Sequence, residues 1–557
     1  MHGPRKVVGV VPSSDCAEFR GLFSTLAELF PVEFRAASDG TLDPFDAIIL
    51  LHATRAGGLR AAGAGVRCLA FLGGPEDSRH LSSDSLEVQF ASTANLHACL
   101  RRQVLTEREA LPARPLEPEP GEAVVASRGN HPVWLYRILG RSAVDFVSGE
   151  PPRLAPHGLL REHLCGCRFM SLLPLFNFLQ ELTRKGDWNR GPLRACLVLD
   201  DPSLHHRSYG CVDFSRLAGH ARTHRYHAAI ATVPIDAGHV GRAVSNLFRE
   251  NPASLSLLIH GNDHTWRELA QPCSAPARLA TLAQALKRVE RLEQQHGLRV
   301  SRVMEAPHGA FTSDVFPLLV ALGFEAALVT TELLTRYNPN AVWHPALGLG
   351  LAGTFPGGLH GIPRIILDAN WKTEVVLAAF LGQPIVVAGH HHDAEDAMSL
   401  FGKLAETING LGDVKWSDTQ TLARSSYQTR QTDDHLSVKM YSRRVTVSIP
   451  EGVRQLTINR PWLAESTAET LVVGVPDNGA GGSWQAGMVS DPIPVTSPGT
   501  LEISSISPNA VDYPTIPSPR TRLWPVVRKL MVEVRDRAYP LIHRHRSNRH
   551  TFSAWTH

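Results

Sequence analysis

The sequence predicts a multidomain α/β protein: a small parallel α/β sheet, then a (β/α) barrel of seven strands, then an antiparallel β-sandwich with a basic amphipathic helix after it. Three observations predict it. Short apolar runs alternate with helical spacings over the first hundred residues. Seven more such runs alternate with helical stretches across 191–423. From 424 the runs alternate apolar and polar residues, with turn residues and no helix between them.

Length and composition bound the reading. At 557 residues the chain exceeds one domain. A 43% hydrophobic and 20% charged composition fits soluble globular domains, and a net charge of +3 makes no case for nucleic-acid binding. Eight scattered cysteines do not form a disulfide framework, and Cys165 and Cys167 read as buried thiols. No run approaches the roughly 20 apolar residues of a transmembrane helix. The opening MHGPRKVVGVVPSSDC has strand length without a secretory h-region, so the expected compartment is the cytoplasm.

In chain order, KVVGVV, VEFRAA, DAIILLHA and RCLAFLG read as strands of a flavodoxin-like domain, 1–114, with AEFRGLFSTLAELF as a helix. PLEPEPGE, 115–122, reads as a proline-rich acidic linker. Residues 123–190 read as a connecting β/α segment with a helix near 170–184. The barrel, 191–423, takes RACLVLD, YHAAIATVPI, SLSLLIHG, RVMEAP, AALVT, IPRIILD and PIVVAGH as strands, and 331–361 reads as a loop. The sandwich spans 424–508 and a basic helical tail 509–557. In the tail, Leu523, Val527, Leu530, Val534, Ala538 and Leu541 share one helical face. Arg520, Arg522, Arg528, Lys529, Arg535 and Arg537 face only Glu533 and Asp536 in charge. A peripheral membrane contact through 520–546 is one expectation and a cap on a neighbouring domain the other.

Chemistry gathers where strands end. In a (β/α) barrel the C-terminal strand ends carry the site. Here they carry Asp200-Asp201, His260 with His264 beyond it, Pro307-His308-Gly309, Asp368, and His390-His391-His392-Asp393. Twenty-seven histidines make any one pair unremarkable, but not their concentration at matching strand ends. One carboxylate and two imidazoles, Asp201, His260 and His264, are a ligand set for a divalent ion with an open position. The two histidines converge if the segment after the strand turns helically. Such an ion lowers the pKa of a bound water towards about 7. Asp200 is then free to act as general base, with a histidine of 390–392 as the acid on the far side.

The stretch 194–424 resembles the polysaccharide deacetylase (NodB-homology) family, carbohydrate esterase family four and its divergent relatives. VLDDPS resembles the first motif and HGNDH the H-x-x-x-H second motif. The resemblance implies a distorted (β/α)7 barrel, Asp200 as base, and Asp201, His260 and His264 as ligands of one ion, zinc in most members. The implied reaction is hydrolysis of an N-acetyl group from an amino sugar. The third motif departs: Pro307 and Gly309 match, but Glu305 stands where the family carries the arginine that orients the base. A carboxylate beside Asp200 would raise its pKa unless a cation such as Arg207 or Arg302 compensates. His390 is favoured as acid, with His392 next. Asp368 is the candidate for the fourth motif. Pro307, His308, Gly309, Trp266, Asp368 and Trp371 are candidate substrate contacts, Trp343 being a further loop tryptophan.

The expected activity is therefore metal-dependent de-N-acetylation of a sugar or glycoconjugate during biosynthesis, in the cytoplasm or at the inner membrane face. A metal hydrolase of a non-sugar amide and a degenerate ligand-binding barrel are the alternatives. Substrate identity and oligomeric state are not legible in the sequence.

Overall fold

The computed structural model describes residues 5–38, 45–73, 86–109, 115–164, 168–184, 188–464, 466–476, 481–495, 498–520 and 523–543. Cys165, Cys167 and tail residues 544–546 lie outside them. The chain divides into two compact units. The first takes Met1–Asn189, Val342–Leu351 and Asp368–Gln383; the second takes the rest.

The first unit is built on one sheet. Val32–Ala36, Lys6–Val11, Ala47–Leu50, Arg67–Leu72 and Ser142–Ser148 run parallel in that order. His131–Leu139, Ala123–Arg128, Glu87–Phe90 and Val104–Thr106 extend it antiparallel. The sheet is thus mixed and larger than the first hundred residues suggest, because the strands of 123–148 join it. The helix Arg20–Leu29 buries Leu22, Phe23 and Leu26, the three- and four-residue spacing of a core-facing stripe. Asp145 is buried in the sheet and satisfied by Arg67, Trp134 and Asn95. Trp371–Leu381 also counts with this unit. It is apolar nearly all round and buried, and the Thr106 amide donates to Thr373 Oγ1 at 3.1 Å.

The second unit opens with the barrel. Leu193–Asp200, Ala228–Thr232, Leu255–His260, Val300–Glu305, Ala326–Val329, Leu359–Ile366 and Ile385–Gly389 are all parallel. The first pairs with both the second and the seventh, which closes the ring. Cys196, Val198, Ala229, Ala231, Leu258, Val303, Ala326, Leu328, Ile362, Val386 and Ala388 fill the interior. They recur every second residue, as inward-facing strand positions must. The stretch 331–361 is not a plain loop. It holds the helix Thr331–Tyr337 and the strand Gly353–Phe355, which returns antiparallel onto the sixth barrel strand.

Two four-stranded sheets form the sandwich, one of Tyr427–Thr432, His435–Met440, Gln455–Asn459 and Ile493–Pro494, the other of Arg444–Ile449, Gly499–Ile506, Glu469–Gly474 and Gly481–Ala486. Val438, Met440, Val445, Val447, Leu456, Ile458, Leu471 and Ile503 fill the space between. All pairs are antiparallel except the second with the third strand of the first sheet. A strap then runs along the long helix Ala275–His296, Lys287 donating to the Ile516 carbonyl and Gln284 to that of Pro519. The chain ends in the helix Leu523–His543. No helix among the described residues is long and apolar enough to cross a membrane.

Candidate metal centre and its surroundings

The site is the next inward step of the barrel's own pattern. Two residues beyond Val198 comes Asp200; two beyond Leu258, His260; two beyond Val303, Glu305; two beyond Ile362, Arg364; two beyond Ala388, His390. The period of two that packs the apolar interior therefore delivers five polar side chains to the C-terminal rim. Asp201 breaks the alternation. Its φ of +78° lets two consecutive aspartates reach one site.

His264 arrives differently from the helical turn expected. Residues 261–264 form a tight loop with left-handed backbone at Gly261 (φ +61°) and His264 (φ +51°). Glu268 holds it: its carboxylate accepts from the backbone amides of Asn262, Asp263 and His264 at 2.5, 3.1 and 3.2 Å. Arg288 pins the outer side through Asn262 Oδ1 at 2.7 Å and Asp263 Oδ1 at 2.5 Å.

The donor atoms fit a small divalent ion. His264 Nε2 lies 3.0 Å and His260 Nε2 3.6 Å from Asp201 Oδ1. All three donors lie within 4.8 Å of one another. Zinc bonds of about 2.0–2.2 Å at tetrahedral angles set donors roughly 3.3–3.6 Å apart, and both carboxylate–imidazole separations lie within a few tenths of an ångström of that. Burial, reinforced by the charge of His264, pushes His260 down to about 4, leaving the neutral imidazole a ligand requires. Burial raises Asp201, but His264, His260 and Lys529 outweigh it and hold the carboxyl well below its usual range.

Beside this set, Arg364 resolves the departure at Glu305. Its Nη2 lies 2.5 Å from Asp200 Oδ2 and its Nε 2.5 Å from Glu305 Oε1, with all three side chains largely buried. Burial alone would raise Asp200; Arg364, with His260 and His390, reverses this and holds the carboxyl below its usual value. Burial and then the Asp200 charge lift Glu305 well above its own. The compensating cation is neither of those expected. Arg207 is 70% exposed, 4.0 Å from Asp213, and Arg302 pairs with Glu293 at 2.6 Å. A lone arginine inside the apolar run IPRII was the signal for Arg364.

The three clustered histidines separate. His390 is exposed at the mouth within electrostatic reach of Asp200, and His392 stacks on it, ring centres 5.5 Å apart. His391 turns away into contact with Tyr209 and Asp536. His390, His392 and Asp393 form a second set of donors within 4.8 Å. Pro307 and Gly309 are buried in the turn after the fourth strand. His308 (φ +58°) stands over His264 at 5.5 Å, with the half-exposed Trp266 beside it at 5.7 Å. Asp368, Trp371 and Trp343 count with the first unit, Asp368 pairing with Arg108 at 3.3 Å.

The terminal helix lies over the mouth with its polar face inward. Arg528 donates to the His264 carbonyl. Lys529 Nζ lies 3.1 Å from Asp236 Oδ2 and 3.3 Å from the Asp201 carbonyl. Glu533 accepts from Ser203 Oγ at 3.2 Å and meets His205 at 3.1 Å. Asp536 accepts from Tyr209 at 2.6 Å and faces His391 Nε2 at 3.6 Å. Lys529, Glu533 and Asp536 are buried, whereas Leu523, Leu530, Met531 and Val534 are 57–77% exposed. The helix does cover the domain beside it, but not with the apolar face that an ordinary cap would use.

No protein-family model and no curated protein matches the chain. Among solved structures, it is similar to a Mycobacterium smegmatis chain described as a polysaccharide deacetylase, at 16% identity over 42% of this chain and 91% of that one, TM-score 0.29. It is similar to a family 4 carbohydrate esterase from Streptomyces lividans in complex with acetate, at 12% identity over 41% and 92%, TM-score 0.25. It is also similar to a CE4 family pseudoenzyme from Bacillus anthracis, at 10% identity over 42% and 67%, TM-score 0.26.

Proposed function

We propose that this chain is a metal-dependent hydrolase that removes an N-acetyl group from an amino sugar of a polysaccharide, glycolipid or glycosylated metabolite. The observation that carries it is the three-donor set Asp201, His260 and His264 beside a carboxylate, Asp200, kept ionised by Arg364. A scaffold that only held an ion would not need that ionised neighbour. A divalent ion bound there, zinc being the expected one, supplies Lewis acidity towards the acyl oxygen and towards water. Asp200 takes the proton of the attacking water as its oxygen joins the acyl carbon. His390, or His392 stacked on it, gives a proton to the departing nitrogen as the C–N bond breaks, leaving acetate and a free amine. Arg364, set between Asp200 and Glu305, orients the base. His308 and Trp266, with the turn at Pro307 and Gly309, form the rim against which a sugar ring would rest.

Glu305 was the feature that favoured a binding-only barrel, and its pairing with Arg364 removes that support. The setting proposed is the cytoplasm, with the outward apolar face of the terminal helix and its exposed Arg535 in contact with the inner membrane face. Removing Arg520–His557 should then abolish flotation with anionic liposomes.

Elemental analysis of the purified protein, beside His260→Ala/His264→Ala, tests the centre. One divalent ion per chain, lost in the variant, is expected. Acetate release from N-acetyl sugars should follow, and Asp200→Asn should keep the ion while losing turnover. A folded wild type that takes up no ion from an excess would end the hydrolase reading, and turnover confined to non-sugar amides would redirect it.

A further inference from the structure

The terminal helix is held in an unusual way. Helices usually dock by burying an apolar face, each buried side chain contributing about 1.5–3 kcal/mol. Here Leu523, Leu530, Met531 and Val534 point outward, and ion pairs and hydrogen bonds hold the inner face. Exchangeable polar contacts of this kind can be replaced, one for one, by a polar ligand.

The groups it covers are those a hydroxylated, amine-bearing ligand would use. Ser203 and His205 follow the first barrel strand, on the same rim as the metal ligands. Tyr209 belongs to the same segment, and His391 follows the seventh strand, which pairs with the first. Asp236 lies in the turn Pro234–Gly238, just past the second strand. It is buried, and the cation set against it is Lys529, which also reaches the carbonyl of the metal ligand Asp201. A primary ammonium thus sits between a rim carboxylate and the metal centre. A sugar that has already lost its acetyl group presents that same primary ammonium.

We propose that the helix Leu523–His543 is a tethered stand-in for substrate: Lys529, Glu533 and Asp536 occupy the sugar-binding groups of the mouth, and Asp236 is the subsite for a free ammonium on a partly de-N-acetylated amino-sugar chain. This rests on the hydrolase reading and adds two things to it. The substrate is a chain with some residues already deacetylated, and it displaces the enzyme's own helix to enter. Single N-acetyl sugars cannot engage Asp236 and are poor competitors for the helix.

The test uses full-length protein and two probes: a fully N-acetylated glucosamine hexamer and a hexamer with about half its amines free. Binding is measured by calorimetry, and helix release by deuterium exchange over 523–543. Lys529→Ala should bind the half-free hexamer at least tenfold more tightly than wild type, because the internal competitor is weakened. Adding Asp236→Asn should cancel that gain for the half-free hexamer and leave binding of the neutral one unchanged. Exchange over 523–543 should quicken when wild type binds the half-free hexamer. Unchanged or weaker binding by Lys529→Ala, a gain that survives Asp236→Asn, unchanged exchange, or no binding to any variant would each overturn the proposal. Failure of the hydrolase reading shows elsewhere, as absent metal and absent acetate release. Acetate release by a protein whose Lys529→Ala variant gains nothing would remove the stand-in helix alone.

Discussion

Replacing Arg364 with methionine tests the charge arrangement on which the base depends. Methionine keeps an unbranched chain and removes only the cation. The Arg364, Asp200 and Glu305 side chains are 8%, 6% and 0% exposed, so water cannot take over. Asp200 is the carboxyl held below its usual range and Glu305 the one lifted above it, so the pair lost is chiefly Arg364 with Asp200. Two unit charges about 4 Å apart attract by about 4 kcal/mol at an effective dielectric of about 20. Removing one partner of a buried pair typically costs about 3–5 kcal/mol. Metal-free Arg364→Met should therefore lose about 3–5 kcal/mol at pH 7 in the urea transition of the second unit. Acetate release by the metal-loaded variant should fall by about 10²–10⁴, the usual contribution of a general base. The double variant Arg364→Met/Asp200→Asn removes the orphaned charge and should recover at least about 2 kcal/mol of the loss. A single variant within about 1 kcal/mol of wild type, or a double variant no better than the single, would refute the reasoning.

Glu305→Gln should cost less than about 1 kcal/mol and retain turnover, because an amide replaces a carboxyl whose surroundings favour its neutral form; urea unfolding and acetate release measure both. Gly261→Ala should lower zinc affinity at least tenfold by dye competition. A Cβ there would sit 2.1 Å from Glu268 Oε1 at a φ of +61°, so the loop that aims His264 must move. His360, fully buried, is pushed down by burial and by Arg194 to about 3, against 6.5 when unfolded. The unfolded chain takes up a proton that the folded one refuses, so stability is full above about 6.5 and falls as pH drops below it. The loss reaches about 3 kcal/mol at pH 4.5, where His360→Gln should flatten the urea-midpoint profile.

The barrel and its donors were legible because one rule wrote both. A buried strand alternates, and a polar residue at the next inward position stands out against an apolar run, as Asp200, His260 and His390 do. Arg364 obeys the same rule. Distance along the chain from Asp200 and Glu305 points instead to Arg207 and Arg302, whereas register across the ring decides which side chains meet. His264 depends on left-handed backbone at Gly261 and on a carboxylate four residues later, and no spacing rule encodes that clamp. The helical wheel of 523–541 showed two faces but not which one is buried. Its partners, Asp236, Tyr209 and His391, come from three separate strand ends, and their convergence exists only once the barrel has closed.

The helix Trp371–Leu381 follows the sixth barrel strand in sequence but completes the first unit. The first unit therefore cannot finish when residue 189 has been made, and must wait for residue 383. At roughly 5–20 residues per second the ribosome needs about 10–40 s for that interval, long beside the folding time of a small domain. Throughout it, the nascent first unit lacks the apolar surface of WKTEVVLAAFL, and most of the barrel emerges before the first unit is whole. Synthesis thus binds the two halves to one schedule, and a gene cut at residue 190 would yield two fragments, one missing a helix and the other carrying it without a home.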